Sequence, residues 1–179
     1  MRKMFLIILL TFTGCAASYE SRLAIVSCDD RNGSGFPVGR HLILTANHLI
    51  NCGLPLVDGE PAEIVVADFT RDLALLKVKA KYDKVCFEDA EVTDEVYLYS
   101  NAWNSGGLYT KHVVAGFAMI EGVEHLAVFP SILTGSSGGA IVTRGCVVGL
   151  AVSANVALEG GFGFAVTAKE IRKFLKEMP

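Results

Sequence analysis

Short apolar runs rich in β-branched residues recur along this chain, and turn-forming residues separate them. Residues 23–28, 63–67 and 73–78 form such runs in the first half, and residues 96–99 and 147–152 are examples in the second. Each run has the length of a strand rather than a helix, and the glycine, aspartate and proline residues between the runs favour tight turns. Many short strands at this spacing are typical of an antiparallel sandwich or barrel, so the sequence predicts an all-β fold.

The size and charge of the chain limit its organisation and its partners. It has 179 residues, of which 51% are hydrophobic, and a formal net charge of −3. That is ample for a packed core and suits one domain or two small subdomains. A polar, mixed segment at 80–89 divides the strand-rich sequence, so we expect one unit over residues 15–85 and a second over residues 86–179. There is no basic stripe in the sequence, which argues against nucleic acid as a partner.

One helix is predicted, at the C-terminal end of the chain. Thr167 and Glu170 have the spacing of a capping box, which marks a helix N-terminus. Apolar residues then recur on one helical face, at Ala168, Ile171, Leu175 and Met178. We therefore expect a short terminal helix that packs on the strands.

The first residues have the pattern of an export signal. Arg2 and Lys3 precede an apolar run at 4–12, which is too short to span a bilayer. Thr13-Gly14-Cys15 then resembles the lipobox of bacterial lipoproteins. This resemblance implies a signal peptide at 1–14, lipid on Cys15, and an exported protein anchored to a membrane and facing the periplasm. Because Ala16 is not aspartate, the resemblance favours the outer membrane; ordinary cleavage after Ala16 or Ala17 is the alternative.

Four further cysteines remain if Cys15 carries lipid. In an exported chain an even number favours disulfides, and the pairing Cys28–Cys52 with Cys86–Cys146 is preferred because the first pair lies within one predicted unit. The sequence alone leaves three pairings open. Four reduced thiols are a further alternative, and a zinc site that includes His48 and Cys52 is another, although no paired CxxC motif supports it.

Three short segments at the ends of apolar runs supply a histidine, an aspartate and a serine in that order. They are LTANH at 44–48, DLALLKV at 72–78 and TGSSGG at 134–139. A serine hydroxyl is a weak nucleophile at neutral pH, and it needs an imidazole to accept its proton and a carboxylate to orient the imidazole. His48, Asp72 and Ser137 therefore predict serine-type hydrolysis.

The order of these residues separates two folds that share the glycine–serine motif. Residues 135–139 also fit the nucleophile elbow of α/β-hydrolases, but those enzymes need a histidine after the serine. All four histidines of this chain precede Ser137. The order His, Asp, Ser is the order of the chymotrypsin-like enzymes.

The combined motifs, with the GSGF segment at 33–36 and Val148-Gly149-Leu150, resemble the trypsin-like serine peptidases of the HtrA/Deg type. The resemblance covers about residues 22–176. It implies two antiparallel six-stranded β-barrels with the catalytic site between them. Unlike many such enzymes, the sequence shows no PDZ domain after the terminal helix.

Chemistry and resemblance together give each site residue an expected role. Ser137 is the expected nucleophile, with Ser136 as its rival; His48 is the base; and Asp72 is the orienting acid, with Asp68 as its rival. The backbone N–H groups of Gly135 and Ser137 are the expected oxyanion hole.

By the same resemblance, a specificity pocket is expected between three short segments. Its residues are Ser131, Val152, Ser153, Ala154, Gly161 and Gly163. No acidic residue lies between Glu124 and Glu159, so the pocket lacks a counter-charge for lysine or arginine. A small or medium apolar residue is the expected preference.

Two functions are compatible with these residues. The leading interpretation is a serine endopeptidase that acts on peptides or unfolded proteins without a cofactor or metal. The alternative is a catalytically silent module of the same fold that binds peptides or a partner protein. The sequence leaves the oligomeric state open.

Overall fold

Two antiparallel sheets make up the part of the chain that the structure describes. The structure is a computed structural model, and it describes residues 23–154 and 161–178, with the side chains of Ser153 and Ala154 outside the description. The first sheet has seven strands: β1 (Ala24–Cys28), β2 (Arg31–Gly39), β3 (Leu42–Ala46), β4 (Leu56–Val57), β5 (Glu60–Pro61), β6 (Glu63–Asp68) and β7 (Leu73–Lys77).

The second sheet is a closed barrel. Its strands are β8 (Glu95–Ser100), β9 (Leu108–Ile120), β10 (Val123–Phe129), β11 (Ala140–Thr143), β12 (Cys146–Ala154) and β13 (Gly163–Thr167). They pair in the order β10-β13-β12-β11-β8-β9, and the last strand pairs with the first through the tight hairpin at Glu121 and Gly122. The predicted all-β, two-sheet fold is confirmed.

The first sheet differs from the expected hydrogen-bonded barrel. Its strand order is β5-β4-β1-β2-β3-β7-β6, so β5 and β6 lie at opposite edges, yet only Ala62 separates them in the chain. The two edges are therefore adjacent. A single residue of backbone closes the curled sheet, whereas the resemblance implied a row of hydrogen bonds between two edge strands. Pro61 has no N–H group, which removes a ladder donor at this corner. If β5 and β6 are counted as one bent strand, the expected six remain.

The apolar side chains form two clusters. One fills the inside of the closed barrel and includes Leu98, Leu126 and Val148. The other lies between the first sheet and the outer face of the barrel, and it contains Phe36 and Leu44. Burial of the second cluster fixes the two sheets against each other, because each apolar side chain removed from water stabilises the contact by about 1.5–3 kcal/mol.

The terminal helix α1 (Ala168–Lys176) packs onto that shared cluster. Thr167 caps it, because its Oγ1 accepts a hydrogen bond from the backbone N–H of Glu170 at 3.3 Å. Ala168 and Ile171 are buried as predicted. Phe174 is buried too, which the pattern had not indicated.

Both predicted disulfides are present. Cys28–Cys52 joins the end of β1 to the segment after His48, and Cys86–Cys146 joins the segment between the sheets to β12. Cys15 and the expected signal at 1–14 lie outside the described residues. No helix within the described part of the chain is long and apolar enough to cross a membrane.

Candidate active site

His48 follows directly from the end of β3. That strand is buried and β-branched, and it ends at Ala46, where a short 3₁₀ turn over Asn47–Leu49 turns the chain. The turn exposes His48 while Leu49 is buried beneath it. Arg31 Nη1 donates to the carbonyl oxygen of His48 at 2.8 Å, which ties the turn to the start of β2.

Asp72 is the last residue of the four-residue loop between β6 and β7. Asp68 and Leu73 are the final paired residues of this hairpin, and Asp72 has a φ of 53°, in the left-handed region. That conformation costs a residue other than glycine about 1–2 kcal/mol, and aspartate is among the residues that tolerate it best. The loop therefore turns the Asp72 side chain back toward the end of β3 at some cost in backbone strain.

The Asp72 carboxylate holds His48 by two hydrogen bonds. Oδ2 accepts from the ring Nδ1–H at 2.6 Å, and Oδ1 accepts from the His48 backbone N–H at 2.8 Å. The Asp72 carbonyl also accepts from the N–H of Asn47 at 3.1 Å. With Nδ1 donating to the carboxylate, the other ring nitrogen of a neutral His48 is a free acceptor. The imidazole is thereby presented as a proton acceptor.

Ser137 is the second residue of the second of two consecutive tight turns. The N–H of Ser136 donates to Leu133 O at 3.1 Å, and the N–H of Gly139 donates to Ser136 O at 2.9 Å. Each turn has a glycine with positive φ at its third position, Gly135 at 85° and Gly138 at 77°. A type II turn requires that conformation. The TGSSGG sequence therefore dictates the local fold.

The loop of Ser137 is attached to the first sheet as well as to its own barrel. The N–H of Ser34, in β2, donates to the carbonyl oxygen of Ser137 at 2.8 Å, and the N–H of Gly138 donates to Ala151 O at 2.7 Å. A Cβ added at Gly138 would collide with the Ser34 carbonyl oxygen. Only glycine fits this close approach of two backbones.

The hydroxyl of Ser137 faces a carbonyl of β12. Its Oγ donates to Val152 O at 3.4 Å, and among the described residues it makes no hydrogen bond to His48. A serine side chain changes rotamer about its Cα–Cβ bond, and catalytic hydrogen bonds are often long or poorly aligned before substrate binds. The hydrogen bond between Asp72 and His48 is therefore formed in this structure, whereas the one between His48 and Ser137 is not.

The backbone N–H groups of Gly135 and Ser137 donate to no other described residue. Both belong to the tight turns just described, and unpaired donors at such a turn are suited to binding an oxyanion. The chain's single tryptophan flanks them: a Cβ built at Gly135 would lie 3.2 Å from the backbone nitrogen of Trp103. The Trp103 side chain is 70% exposed.

Some expected pocket residues come together. Ser131 Oγ donates to the carbonyl oxygen of Phe162 at 3.2 Å, and a Cβ at Gly161 would lie 3.8 Å from Ser131 Cβ. A Cβ at Gly163 would clash with the backbone nitrogen of Ile132. Val152 lies on β12, whose backbone continues through Ser153 and Ala154, but the side chains of those two residues are outside the description.

The rival residues have other contacts. Ser136 is buried, and its Oγ accepts from Ser100 Oγ at 3.1 Å. Asp68 Oδ1 accepts from the backbone N–H groups of Thr70 and Arg71, both at 2.9 Å, so its carboxylate organises the loop. Cys52 is in a disulfide, and the described residues contain no group of histidine, cysteine and acidic side chains that could hold a metal.

Sequence reasoning missed Ser34. The side-chain Oγ of this buried serine accepts from the N–H of Asn101 at 2.7 Å, and its carbonyl accepts from Thr45 Oγ1 at 2.6 Å. With its bond to Ser137, it links both sheets at the site. The sequence signal that could have indicated Ser34 is its position between Gly33 and Gly35, because two glycines without side chains allow another backbone segment to approach closely.

No protein-family model and no curated protein matches the sequence. Solved structures do match. The inactive form of the Rv3671c protease has a TM-score of 0.80 at 19% identity, over 90% of this chain and 91% of that one. The active form, from M. tuberculosis, has a TM-score of 0.77 at 20% identity, over 90% and 82% of the two chains.

A serine endoprotease from Yersinia pestis matches with a TM-score of 0.79 and 26% identity. The match covers 89% of this chain, which spans 63% of the length of that one. The fold of this chain is therefore that of the trypsin-like serine proteases, as the motifs predicted. The similarity includes proteases in both inactive and active forms.

Proposed function

We propose that the protein is a serine endopeptidase that hydrolyses peptide bonds through His48, Asp72 and Ser137. The observation that carries this proposal is the pair of hydrogen bonds from the Asp72 carboxylate to the ring and the backbone of His48. A carboxylate that is hydrogen-bonded to an imidazole in this way fixes one tautomer and one orientation of the ring. A general base for a serine nucleophile requires both.

The proposed reaction begins with a rotation of the Ser137 hydroxyl from the Val152 carbonyl toward the free nitrogen of His48. Ser137 Oγ then attacks the scissile carbonyl carbon while His48 takes its proton, and His48 returns that proton to the leaving amine. A water molecule, deprotonated by His48 in its turn, then attacks the acyl-enzyme, and His48 returns the proton to Ser137 Oγ as the ester bond breaks and the acid product leaves. Asp72 keeps the imidazole oriented and stabilises its positive charge.

The N–H groups of Gly135 and Ser137 would stabilise the negative oxygen that develops during attack. A single donor of this kind typically contributes roughly 3–4 kcal/mol to transition-state stabilisation. We propose peptides or unfolded protein segments as substrates, with a small or medium apolar side chain before the cleaved bond. No cofactor or metal enters this mechanism.

The open link between Ser137 and His48 favours a second candidate, a silent module that binds peptides in the same cleft. An activity-based fluorophosphonate probe distinguishes the two. The wild-type protein should be labelled covalently, Ser137→Ala should not, and the matched variant Ser136→Ala should retain labelling. An unlabelled wild-type protein that still binds peptides would favour the silent module, and labelling that survives Ser137→Ala would reject the nucleophile.

We also propose that the protein is exported and anchored by lipid on Cys15, at the outer membrane facing the periplasm. The Thr13-Gly14-Cys15 sequence supports this proposal. Cys15→Ser should move the protein to the soluble periplasmic fraction. A mature N-terminus at Ala16 or later, found by mass spectrometry, would contradict it.

A further inference from the structure

The loop that presents Asp72 is in contact with the far end of the chain. We call the last residue of β6 together with the four residues that join it to β7, residues 68–72, the acid loop. Arg71 is the residue directly before Asp72, and its guanidinium reaches both Asp68 within the loop and Glu177 just after α1. The two ends of this bridge are 106 residues apart in sequence.

The bridge is specific in its geometry. Arg71 Nη1 donates to Asp68 Oδ2 at 2.8 Å and to Glu177 Oε2 at 2.7 Å, and Nη2 donates to Glu177 Oε1 at 3.1 Å. Arg71 Nε lies 3.5 Å from Glu170 Oε2, and the other oxygen of Glu170 accepts from Lys173 Nζ at 2.6 Å. The planar fork of arginine binds the Glu177 carboxylate through two hydrogen bonds, a geometry that a lysine ammonium does not reproduce.

The bridge is also partly shielded from water. The side chains of Arg71 and Asp68 are 19% and 21% exposed, that of Glu170 is 8% exposed, and that of Glu177 is 58% exposed. The pairs of Arg71 with Asp68 and Glu170 are therefore screened less by salt than pairs on the open surface, whereas the Glu177 carboxylate faces solvent. The hydrogen bonds with Glu177, followed by those with Asp68, raise the pKa of Arg71 above its ordinary value, against the effect of burial.

Asp72 depends on such support. Its left-handed φ of 53° is a conformation that the surrounding structure must hold, and strained backbone of this kind is typical of functional sites. The only backbone between Arg71 and the Asp72 carboxylate is one peptide unit. A change in the backbone conformation at Arg71 therefore also moves the Asp72 carboxylate, which is hydrogen-bonded to His48.

We propose that Arg71 is a positioning residue, which holds the Asp72 carboxylate against His48 by fastening the acid loop to the C-terminal end of α1. The inference rests on the proposed function, because it assigns Arg71 a role in the reaction of Ser137. It gives the terminal helix a role at the candidate site in addition to its packing on the shared apolar cluster. Among the described residues, the polar partners of the Arg71 side chain are Asp68, Glu170 and Glu177, and neither His48 nor Ser137 is one of them.

A double-mutant cycle separates positioning from mere stabilisation. Arg71→Ala should lower kcat on the order of 10-fold to 10²-fold with little change in KM, because a small displacement of an orienting group costs that much. In an Asp72→Asn background the same change should lower kcat no further, because the contact through which it acts is already lost. Thermal stability should fall equally in both backgrounds. If kcat falls equally in both, Arg71 does not act through Asp72.

Three variants refine the cycle. Lys77→Ala removes an exposed ion pair with Glu63 on the same hairpin, and it should leave kcat unchanged. Arg71→Lys should recover only part of the lost turnover, because it restores charge without the fork. Glu177→Gln should reproduce part of the Arg71→Ala loss; a full wild-type kcat in Glu177→Gln would remove the helix from the proposal.

A measurement that needs no activity tests the same contact. The proton on His48 Nδ1, shared with a carboxylate, should give a low-field signal in the proton NMR spectrum, identified by its loss in His48→Asn. Arg71→Ala should shift or broaden this signal, and Lys77→Ala should leave it in place. An unchanged signal in folded Arg71→Ala, or no such signal in the wild type, would overturn the proposal. If the probe fails to label the wild type while the signal still responds to Arg71→Ala, the proposed function fails and the positioning role stands.

Discussion

The two sheets contribute to the candidate site in different ways. The curled first sheet provides His48 and Asp72 from the ends of neighbouring paired strands, β3 and β7, and their contact is closed by hydrogen bonds within one sheet. The closed barrel provides Ser137 from a loop between β10 and β11, and the first sheet helps to hold that loop through Ser34. The hydrogen bonds of the acid–base pair thus lie within one sheet, whereas the nucleophile loop is held partly by the neighbouring sheet.

This difference indicates where each half is vulnerable. The acid–base pair depends on the orientation of single polar groups. Replacement of one carboxylate oxygen by an amide nitrogen should therefore abolish its function as a base while the fold is retained. The nucleophile loop depends on close approach between two backbones, so an added methyl group should affect folding first. The following predictions test that contrast, from the largest expected effect to the smallest.

The largest effect is expected from Asp72→Asn. The His48 backbone N–H should keep its bond to Oδ1 of the new amide, which turns the NH₂ group toward the ring Nδ1. The imidazole must then accept at Nδ1 and carry its proton on the other nitrogen, so it no longer takes the Ser137 proton. Turnover should fall by a factor on the order of 10⁴, with folding retained.

Asp68→Asn is the matched control for that change. Its Oδ1 can still accept from the loop N–H groups, so a much smaller loss is expected. The comparison requires steady-state kinetics on a peptide amide and a thermal melt of each variant. A larger loss for Asp68→Asn, in a folded protein, would show that the acid has been misidentified.

Gly138→Ala tests the nucleophile half through folding. The new methyl group would meet the Ser34 carbonyl oxygen and Thr45 Oγ1, so we expect a loss above about 4 kcal/mol in the free energy of unfolding, measured in urea. Gly59→Ala is a matched control, because Gly59 also has positive φ, at 82°, and has no atom near its Cβ position. It should cost only about 1–2 kcal/mol of backbone strain. Equal losses would mean that the close approach is not important for stability.

Ser34→Ala tests the link between the halves without changing the backbone. The N–H of Asn101 is buried and would lose its acceptor, which typically costs about 1–3 kcal/mol. Ser27→Ala, in the adjacent strand β1, should change the free energy of unfolding by less than about 0.5 kcal/mol. A neutral Ser34→Ala would show that the two sheets meet at this point without help from that hydroxyl.

The smallest effect is expected in fluorescence. Trp103 is the single tryptophan of the chain and lies beside Gly135, so its emission reports on the turn that carries the candidate oxyanion donors. Phosphonylation of Ser137 should shift that emission slightly, and the shift should be absent in Ser137→Ala treated in the same way. An emission spectrum that is unchanged by labelling would indicate that the turn already has its final conformation before the oxyanion site is filled.

The sequence predicted what depends on local chemistry. Strands such as β7 were found because their apolar residues have strand length and turn-forming neighbours. The helix start at Thr167 was predicted because the capping residues have a fixed spacing. The spatial meeting of His48 and Asp72 was inferred from the order of motifs and from family resemblance rather than from geometry.

The remainder depends on contacts between distant segments. The two-residue strands β4 and β5 have no periodicity to detect, and the closure of the first sheet at Ala62 became visible only from strand order. The bridge from Arg71 to Glu177 joins residues that have no common motif. The direction of the Ser137 hydroxyl is a matter of one torsion angle, which no sequence pattern records.

The bond between the Ser34 N–H and the Ser137 carbonyl has a consequence for how the molecule matures. A chain in which only the barrel has folded lacks this bond and has no acid–base pair, and a chain in which only the first sheet has folded has no ordered nucleophile loop. Under the proposed function, newly made chains crowded together would therefore be unable to cleave one another. Proteolytic activity would then appear only when both sheets of a chain have folded and docked.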